Sequence, residues 1–334
     1  MNLLVMRFSA MGDVAMTVPV IHSLAQAHPE VKITFLTRDF LVPFYQWMPK
    51  NVTCIGVNLK EYKGVIGLER LYRQLKSYNF DAVADLHDVL RTKYLRTRFS
   101  IKRTKVVVID KGRREKHALI GHGIEYDYLK SMFERYQETF IGLGLFFPLA
   151  FQDYKMKAMS RKLDLPVSMS SKPCIGVAPF AAHECKVYPL DKMKEVVDGL
   201  ADNGYHVYLF GAGKAEKEIL SSWEREDVES VAGKMGGLTN ELLLMSRLKL
   251  MISMDSSNMH MAAMMGTPTL SIWGATHPKA GFLAWHQSLD SVLSLELPCK
   301  PCSIYGNKPC QYGDCRCLAN ITPQTIIDKC NKMI

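Results

Sequence analysis

Four neighbouring residues supply the groups that hold phosphates and sugars in proteins, a carboxylate, two hydroxyls and an imidazole: Asp255, Ser256, Ser257 and His260. The apolar run 250–254 before them predicts a buried strand, and the small and apolar residues up to Gly266 predict a short helix. A helix that begins where a parallel strand ends directs backbone N–H groups at a ligand, so the stretch predicts a phosphate site. A capped structural helix with a buried histidine explains the same spacing equally well.

A second candidate is Asp13, which follows Gly12 at a predicted turn from strand to helix. A carboxylate at such a turn can act as a general base over a ligand cleft. The more common role of aspartate at this position is to cap a helix. Position alone leaves both interpretations open.

Two further turns carry residues that suit phosphates. Lys186 follows the first strand after residue 173 and could hold a phosphate as a point charge, although a solvated surface lysine is the more common case. Gly211 and Gly213 resemble part of a dinucleotide fingerprint, but Glu216 stands where the third glycine belongs. The glycine pattern is therefore weak evidence for a nicotinamide cofactor.

The chain also contains a basic stretch between residues 91 and 114, where ten cations are accompanied by one acid, Asp110. The cations are Arg91, Lys93, Arg96, Arg98, Lys102, Arg103, Lys105, Lys111, Arg113 and Arg114. Such a segment can face anionic headgroups or a phosphorylated acceptor, or it can be a solvated helix face. Nucleic acid is not expected, because no stacking platform or binding motif accompanies the charge.

Five of the nine cysteines are concentrated near the end of the chain: Cys299, Cys302, Cys310, Cys315 and Cys317. The first pair has zinc spacing, but no second pair with that spacing completes the set. A structural zinc is therefore one hypothesis for this cluster. Its position after the last predicted strand argues against a catalytic metal.

The elements that must position these residues alternate between strand and helix, which predicts doubly wound parallel sheets. One helix is expected from Val14 to Ala27, with a kink near Pro19. The pattern restarts after a polar segment at 156–172, which we interpret as a linker. We therefore predict two Rossmann-like domains facing across a cleft, at 1–160 and 173–321, with a last helix at 322–334 packing back near their junction.

The composition of the 334 residues is that of a globular protein, with 48% hydrophobic and 22% charged residues. No apolar run is long enough for a membrane span, and the first residues predict a strand rather than a signal peptide. A cytoplasmic protein is therefore expected. The net charge of +9 favours an anionic partner.

Taken together, these motifs resemble glycosyltransferase family 9, the bacterial ADP-heptose:lipopolysaccharide heptosyltransferases. The resemblance rests on three ordered segments: Arg7-Phe-Ser-Ala-Met-Gly-Asp-Val14 with Pro19, Asn79-Phe-Asp-Ala-Val-Ala-Asp-Leu86, and Asp255-Ser-x-x-x-His260-x-Ala-Ala-x-x-Gly-x-Pro268 followed by Trp273-Gly-Ala-Thr-His-Pro278. The Cys-x2-Cys pair near the end also occurs in many members. The match extends over nearly the whole chain.

The resemblance implies a GT-B fold and an inverting, metal-independent transfer that needs no cofactor. It implies that Asp13 deprotonates the acceptor hydroxyl. The implied donor-binding residues are Lys186, Met235, Asp255, Ser256, Ser257 and His260. The implied acceptor-binding residues are Arg91, Lys111, Arg113 and Arg114, which would face a lipid-linked anionic glycan at the cytoplasmic face of the inner membrane. Many members have glycine where this chain has Ser257, so the donor site is expected to differ there.

Two other functions remain open at this stage. One is an NAD-dependent oxidoreductase, which the incomplete glycine pattern at 211–216 disfavours. The other is a non-enzymatic protein that binds anionic surfaces through the basic stretch.

Overall fold

Two parallel sheets, each in its own compact unit, make up the computed structural model, which describes residues 1–123, 125–160, 167 and 169–334. Unit 1 consists of Met1–Lys111 and Met132–Gln152, and unit 2 consists of Gly112–Ser131 and Asp153–Ile334. This division differs from the predicted boundaries, because 112–131 and 153–160 join the second unit. The predicted linker at 156–172 lies partly outside the described residues.

The described residues form eleven strands: β1 (Asn2–Met6), β2 (Lys32–Arg38), β3 (Val52–Val57), β4 (Ala82–Asp85), β5 (Lys105–Val108), β6 (Cys174–Ala178), β7 (His206–Leu209), β8 (Val228–Ser230), β9 (Leu250–Met254), β10 (Thr269–Trp273) and β11 (Val292–Ser294). They also form thirteen α-helices: α1 (Met11–Ala15), α2 (Thr17–Ala27), α3 (Gly64–Lys76), α4 (Leu90–Ile101), α5 (Arg113–Leu119), α6 (Met132–Ile141), α7 (Lys155–Met159), α8 (Leu190–Asp202), α9 (Gly213–Ser221), α10 (Leu238–Met245), α11 (Ser257–Met264), α12 (Arg316–Ala319) and α13 (Pro323–Met333). Short 3₁₀ helices lie at Asp39–Tyr45, Glu184–Lys186, Pro278–Ala280 and Leu289–Ser291.

The sheet of unit 1 has the strand order β3-β2-β1-β4-β5, and every pairing in it is parallel. Its central strands are buried on both sides because helices cover both faces, which is why they are continuous apolar runs. The helix predicted for 14–27 is divided in the structure, and its second part begins at Thr17. Pro19 is tolerated there because the first turn of a helix has no internal acceptor for its N–H groups.

The sheet of unit 2 has the order β11-β10-β9-β6-β7-β8 and is also parallel throughout. The predicted strand at 250–254 is confirmed as β9. Helix α13 packs against α8 of its own unit, where a side chain at Gly199 would collide with Ile327. This last helix therefore packs on unit 2, and its predicted position near the junction stays a prediction. No helix among the described residues is long and apolar enough to cross a bilayer.

Candidate functional site

The polar residues after β9 lie at the carboxyl edge of the unit 2 sheet. Asp255 follows β9, and its backbone N–H donates to the carbonyl of Ile272, which holds it beside the end of β10. Ser256 has extended backbone angles at the N-cap position, and α11 begins at the next residue. The local fold predicted for this stretch is confirmed, and it directs the N-terminus of α11 to the edge where α/β proteins bind ligands.

Asp255 receives two polar groups on the same oxygen. The Nζ atom of Lys186 lies 2.8 Å from its Oδ2 atom, and the hydroxyl of Thr276 donates to Oδ2 at 2.7 Å. The Lys186 side chain is only 13% exposed, so the ion pair is shielded from solvent. This is a charged pair with fixed geometry at the edge where a diphosphate is expected.

Gly306 is what gives the Lys186 side chain room. A Cβ atom at Gly306 would lie 2.5 Å from Cγ of Lys186, and the residue has a positive φ of 76°. Only glycine combines that backbone conformation with such a close approach. The loop that follows Cys302 therefore helps to position Lys186.

The other predicted donor-side residues differ in exposure. Ser256 and Ser257 are half-buried, with the Ser256 hydroxyl 3.2 Å from that of Ser253, whereas His260 is largely buried within α11. Met235 is fully buried, and its backbone carbonyl accepts a hydrogen bond from the Asn240 side chain at 2.8 Å. A role for each of them in donor binding stays a prediction.

The glycine turn at 211–213 is already filled by a carboxylate of the chain itself. Glu216 accepts a hydrogen bond from the backbone N–H of Ala212 at 2.7 Å, at the start of α9. A side chain at Gly211 would lie 2.8 Å from Leu220. Packing against Leu220 therefore accounts for Gly211, and capping of α9 accounts for Glu216. The Glu216 carboxylate would also repel a pyrophosphate at this turn.

In unit 1, Asp13 is held by Arg7. The Nη2 atom of Arg7 lies 2.8 Å from Oδ2 of Asp13, and the backbone N–H of Ala10 donates to the same oxygen at 3.2 Å. Arg7 is buried, and its guanidinium also donates to the carbonyl of Leu86. Asp13 remains 27% exposed at the carboxyl edge of the sheet. A ligand hydroxyl can therefore reach its carboxylate, whose orientation is fixed by the buried Arg7.

His87 belongs to this group of residues, although the sequence did not single it out. Its Nδ1 atom accepts from the backbone N–H of Phe8 at 3.3 Å, which places the ring proton on Nε2, 3.2 Å from the hydroxyl of Ser9. Burial, together with the charges of Arg7 and Lys111, lowers the pKa of His87 to about 3. The imidazole is therefore neutral at physiological pH. A lone histidine at a strand end has no spacing signal that would have identified it.

His87 is held in place by the buried carboxylate of Asp85. Oδ1 of Asp85 accepts the backbone N–H groups of His87 and Asp88, each at 2.9 Å, while Oδ2 pairs with Arg96 at 2.8 Å. Arg96 also pairs with Asp88 at 3.0 Å. Part of the basic stretch is therefore structural, since Arg96 neutralises the acids that shape this turn.

The four predicted acceptor-side cations divide between the two units. Arg91 on α4 and Lys111 after β5 belong to unit 1, and both act on the pKa of His87. Arg113 and Arg114 begin α5, which belongs to unit 2, and both are exposed. The structure therefore groups Arg91 and Lys111 with the Asp13 edge.

All nine cysteines are free thiols in this structure. Cys185, just before Lys186, lies 3.0 Å from Cys315 between their Sγ atoms, which links the last cysteine cluster to the Lys186 loop. In the parts of the chain that the structure describes, no three His, Cys, Asp or Glu side chains are arranged to hold a metal ion. The zinc hypothesis stays a prediction, which elemental analysis of the purified protein would test.

The chain is similar to known proteins over most of its length. Residues 68–312 match the model of glycosyltransferase family 9 (heptosyltransferase). Lipopolysaccharide heptosyltransferase 3 of Escherichia coli (strain K12) is 26% identical over 296 residues, covering 79% of this chain and 80% of the relative.

Two solved structures resemble the whole chain. E. coli ADP-heptose lps heptosyltransferase II has a TM-score of 0.71 at 22% identity, covering 100% of this chain and 98% of that one. E. coli heptosyltransferase WaaC with ADP has a TM-score of 0.72 at 19% identity, covering 100% of both chains. These likenesses confirm the predicted GT-B fold. Since the family model covers well over half of the residues, the chain belongs to glycosyltransferase family 9 and is a glycosyltransferase.

Proposed function

We propose that this enzyme transfers a heptose from ADP-heptose to the inner core of lipopolysaccharide, with inversion at the anomeric carbon and without a catalytic metal. The relatives named above support the choice of substrates, since they are lipopolysaccharide and ADP-heptose heptosyltransferases. The observation that carries this function is the shielded pair of Lys186 and Asp255 beside the start of α11.

On the donor side, the leaving group is a diphosphate that gains negative charge as its bond to the sugar breaks. The Lys186 ammonium and the N-terminus of α11 stabilise that charge. Asp255 orients the ammonium and offers its carboxylate to the hydroxyl groups of the sugar. Ser256, Ser257 and His260 supply further polar contacts to the donor, and Ser257 adds a hydroxyl where many family members have none.

On the acceptor side, Asp13 takes the proton of the attacking hydroxyl. The freed oxygen forms the new bond to the anomeric carbon, the bond from that carbon to the diphosphate breaks, and ADP leaves. Arg7 holds the carboxylate in one orientation through their ion pair, which a general base needs. His87 is neutral, so it does not compete with Arg7 for the ion pair with Asp13.

The acceptor is a lipid carrying an anionic glycan. Arg91 and Lys111 at the Asp13 edge, together with Arg113 and Arg114, suit its negative groups. We place the enzyme in the cytoplasm, in peripheral contact with the inner membrane surface.

A panel of nucleotide sugars tests this function most directly. Transfer or hydrolysis is expected with ADP-heptose and not with UDP- or GDP-sugars, and ADP is expected to raise the melting temperature more than UDP, GDP or NAD does. Stabilisation by NAD alone would instead favour an oxidoreductase. Turnover of another nucleotide sugar would preserve the glycosyltransferase and change its donor.

A further inference from the structure

The N-terminal ends of α3 and α4 expose three large aliphatic side chains. Val65 is 65% exposed, Ile66 is 88% exposed and Leu90 is 85% exposed. We call these three residues the apolar tip. Leu68, Leu71 and Leu75 on the same helix are buried in the core of unit 1, so α3 is fixed and the tip cannot turn inward.

The two helix ends lie side by side because α3 and α4 run parallel. Glu69 accepts a hydrogen bond from Tyr94 at 2.9 Å and pairs with Arg98 at 2.9 Å. Further along both helices, Tyr72 packs edge-on against Phe99, with ring centroids 5.0 Å apart. Residues later in α3 therefore contact residues later in α4, as expected for two parallel helices.

This register places the apolar tip on one surface. Ile66 lies about one helical turn before Glu69, and Leu90 lies about one turn before Tyr94, so they extend from the same end of a contacting helix pair. Helix α4 begins just after His87, at the carboxyl edge of the unit 1 sheet. The tip is thus at the edge that carries Asp13 and His87.

Exposed cations lie close to the residues of this tip in the sequence. We call Lys60, Lys63 and Arg91 the cationic rim, and none of the three side chains makes a hydrogen bond or ion pair with a described residue. The neighbouring acids Glu69 and Asp88 are already paired with arginines. Glu61, an exposed acid close to the rim in sequence, accepts a hydrogen bond from the Asn58 amide at 3.1 Å. The surface therefore carries net positive charge.

We propose that the apolar tip and the cationic rim form the docking surface for an anionic lipid bilayer. Aliphatic side chains on a helix end can insert below the headgroups, while lysine and arginine at the same depth as the headgroups are attracted to anionic lipids. A partner protein would have to supply several unpaired acids around an apolar pocket, whereas an anionic bilayer presents both chemistries at once. This proposal rests on the proposed function in one respect: docking through this surface would bring a lipid-linked acceptor to the edge that carries Asp13.

Flotation with vesicles tests the surface directly. Vesicles of phosphatidylethanolamine with phosphatidylglycerol are compared with vesicles of phosphatidylcholine, and the wild-type protein is expected to float only with the anionic set. The variant V65S/I66S/L90S should partition at least about tenfold less, because each buried methylene contributes to insertion. Vesicle partitioning of the variant K60Q/K63Q should fall roughly thirtyfold, since each of the two removed cations contributes about 1 kcal/mol near the membrane surface.

Matched variants at the opposite edge of unit 1 provide the control. Phe146 is 70% exposed, and its carbonyl lies beside His28 at the end of α2. Lys32, Lys50 and Lys76 are exposed at the amino edge of the strands, where β2 and β3 begin and α3 ends. F146S and K32Q/K50Q/K76Q should float like the wild type, and far-ultraviolet circular dichroism checks that each variant is folded.

Three outcomes would overturn the assignment. The first is a wild-type protein that fails to float with anionic vesicles, and the second is a V65S/I66S/L90S variant that floats as well as the wild type. In the third outcome, the V65S/I66S/L90S variant loses self-association and keeps its lipid binding. Turnover with a deacylated, soluble acceptor should be unaffected in V65S/I66S/L90S. If vesicle binding behaves as expected but no nucleotide sugar is turned over by the wild type, the docking surface stands and the proposed transferase reaction fails.

Discussion

Lys186 and Asp255 form an ion pair with 2.8 Å between Nζ and Oδ2, although they are far apart in the sequence. The neighbouring strands β6 and β9 bring them together, because each residue follows one of those strands at the carboxyl edge of the sheet. Asp255 therefore fixes the position of the cation that is proposed to meet the diphosphate.

Replacing Lys186 with alanine should lower kcat with ADP-heptose by roughly 10²–10³-fold, because the leaving diphosphate loses its positive charge. Initial rates at saturating donor measure this. Lys194, an exposed lysine on α8 that pairs with Asp198, supplies the control, and K194A should keep wild-type rates. Equal rates for K186A and K194A would remove Lys186 from the reaction.

Thr276 tests whether the orientation of Asp255 matters. T276V keeps the shape but removes the hydroxyl that donates to Oδ2, which should cost about 1 kcal/mol and reduce kcat/KM by roughly fivefold. T276S restores a hydroxyl and should recover most of the activity. Failure of the serine variant to recover would mean that packing, and not the hydrogen bond, is important at this position.

A comparison of alanine variants at Gly306 and Gly313 distinguishes the effect of backbone strain from the effect of displacing Lys186. G306A should reduce donor turnover at least about tenfold, because the new Cβ would collide with the Lys186 side chain. Gly313 has nearly the same φ, 75°, but a Cβ atom there would meet no other atom within 4 Å. Both variants should lose about 1 kcal/mol of stability in chemical denaturation, whereas G313A should keep its turnover.

Asp13→Asn should reduce turnover by roughly 10²–10⁴-fold, since the amide cannot accept the hydroxyl proton. Binding of ADP, followed by thermal shift, should be unchanged because the proposed nucleotide contacts belong to unit 2. Full turnover by D13N would assign the base role to another residue. Loss of the fold, seen by circular dichroism, would show that the ion pair with Arg7 is needed for stability.

His87 should make the protein sensitive to acid. Its folded pKa of about 3 lies below the unfolded value near 6.5, so the unfolded state binds the proton more readily between these two values. The contribution of His87 to the free energy of unfolding is therefore fully present above about pH 6.5. Between about pH 6.5 and pH 3 it falls by up to about 1.4 kcal/mol per pH unit.

Melting temperatures between pH 7 and pH 4.5 measure this effect. H87Q should show a shallower decline than the wild type, because glutamine does not titrate. H117Q removes an exposed histidine from α5 and should follow the wild-type curve. Parallel curves for H87Q and the wild type would place the acid sensitivity in other groups.

The periodicity of the chain predicted the local elements well, because buried parallel strands are continuous apolar runs and the helices between them are amphipathic. It could not predict that Lys186 would pair with Asp255, since alternation of strands and helices does not specify which strands become neighbours. The partner of Asp13 was missed for a similar reason. Arg7 lies on the preceding strand end, and only the turn geometry shows that its guanidinium comes back to the carboxylate.

The basic stretch shows a second limit. Its charge predicted one anionic surface, whereas the structure uses Arg96 to neutralise buried acids and assigns Arg113 and Arg114 to a different unit from Arg91. A count of charges in the sequence does not show which cations form ion pairs within the fold. The exposed Val65, Ile66 and Leu90 were missed because an apolar residue on a helix is ordinarily expected to face the core.

The segment 112–131 makes the order of synthesis relevant to folding. Unit 1 is complete once residue 152 has left the ribosome, but this segment bonds to residues made much later, with Gly121 and Gly123 donating to Pro301 and Lys300. During translation the segment cannot form these two bonds until the rest of unit 2 is made. We therefore expect a nascent chain halted before residue 300 to carry a folded first sheet, followed by a segment that proteases can cleave.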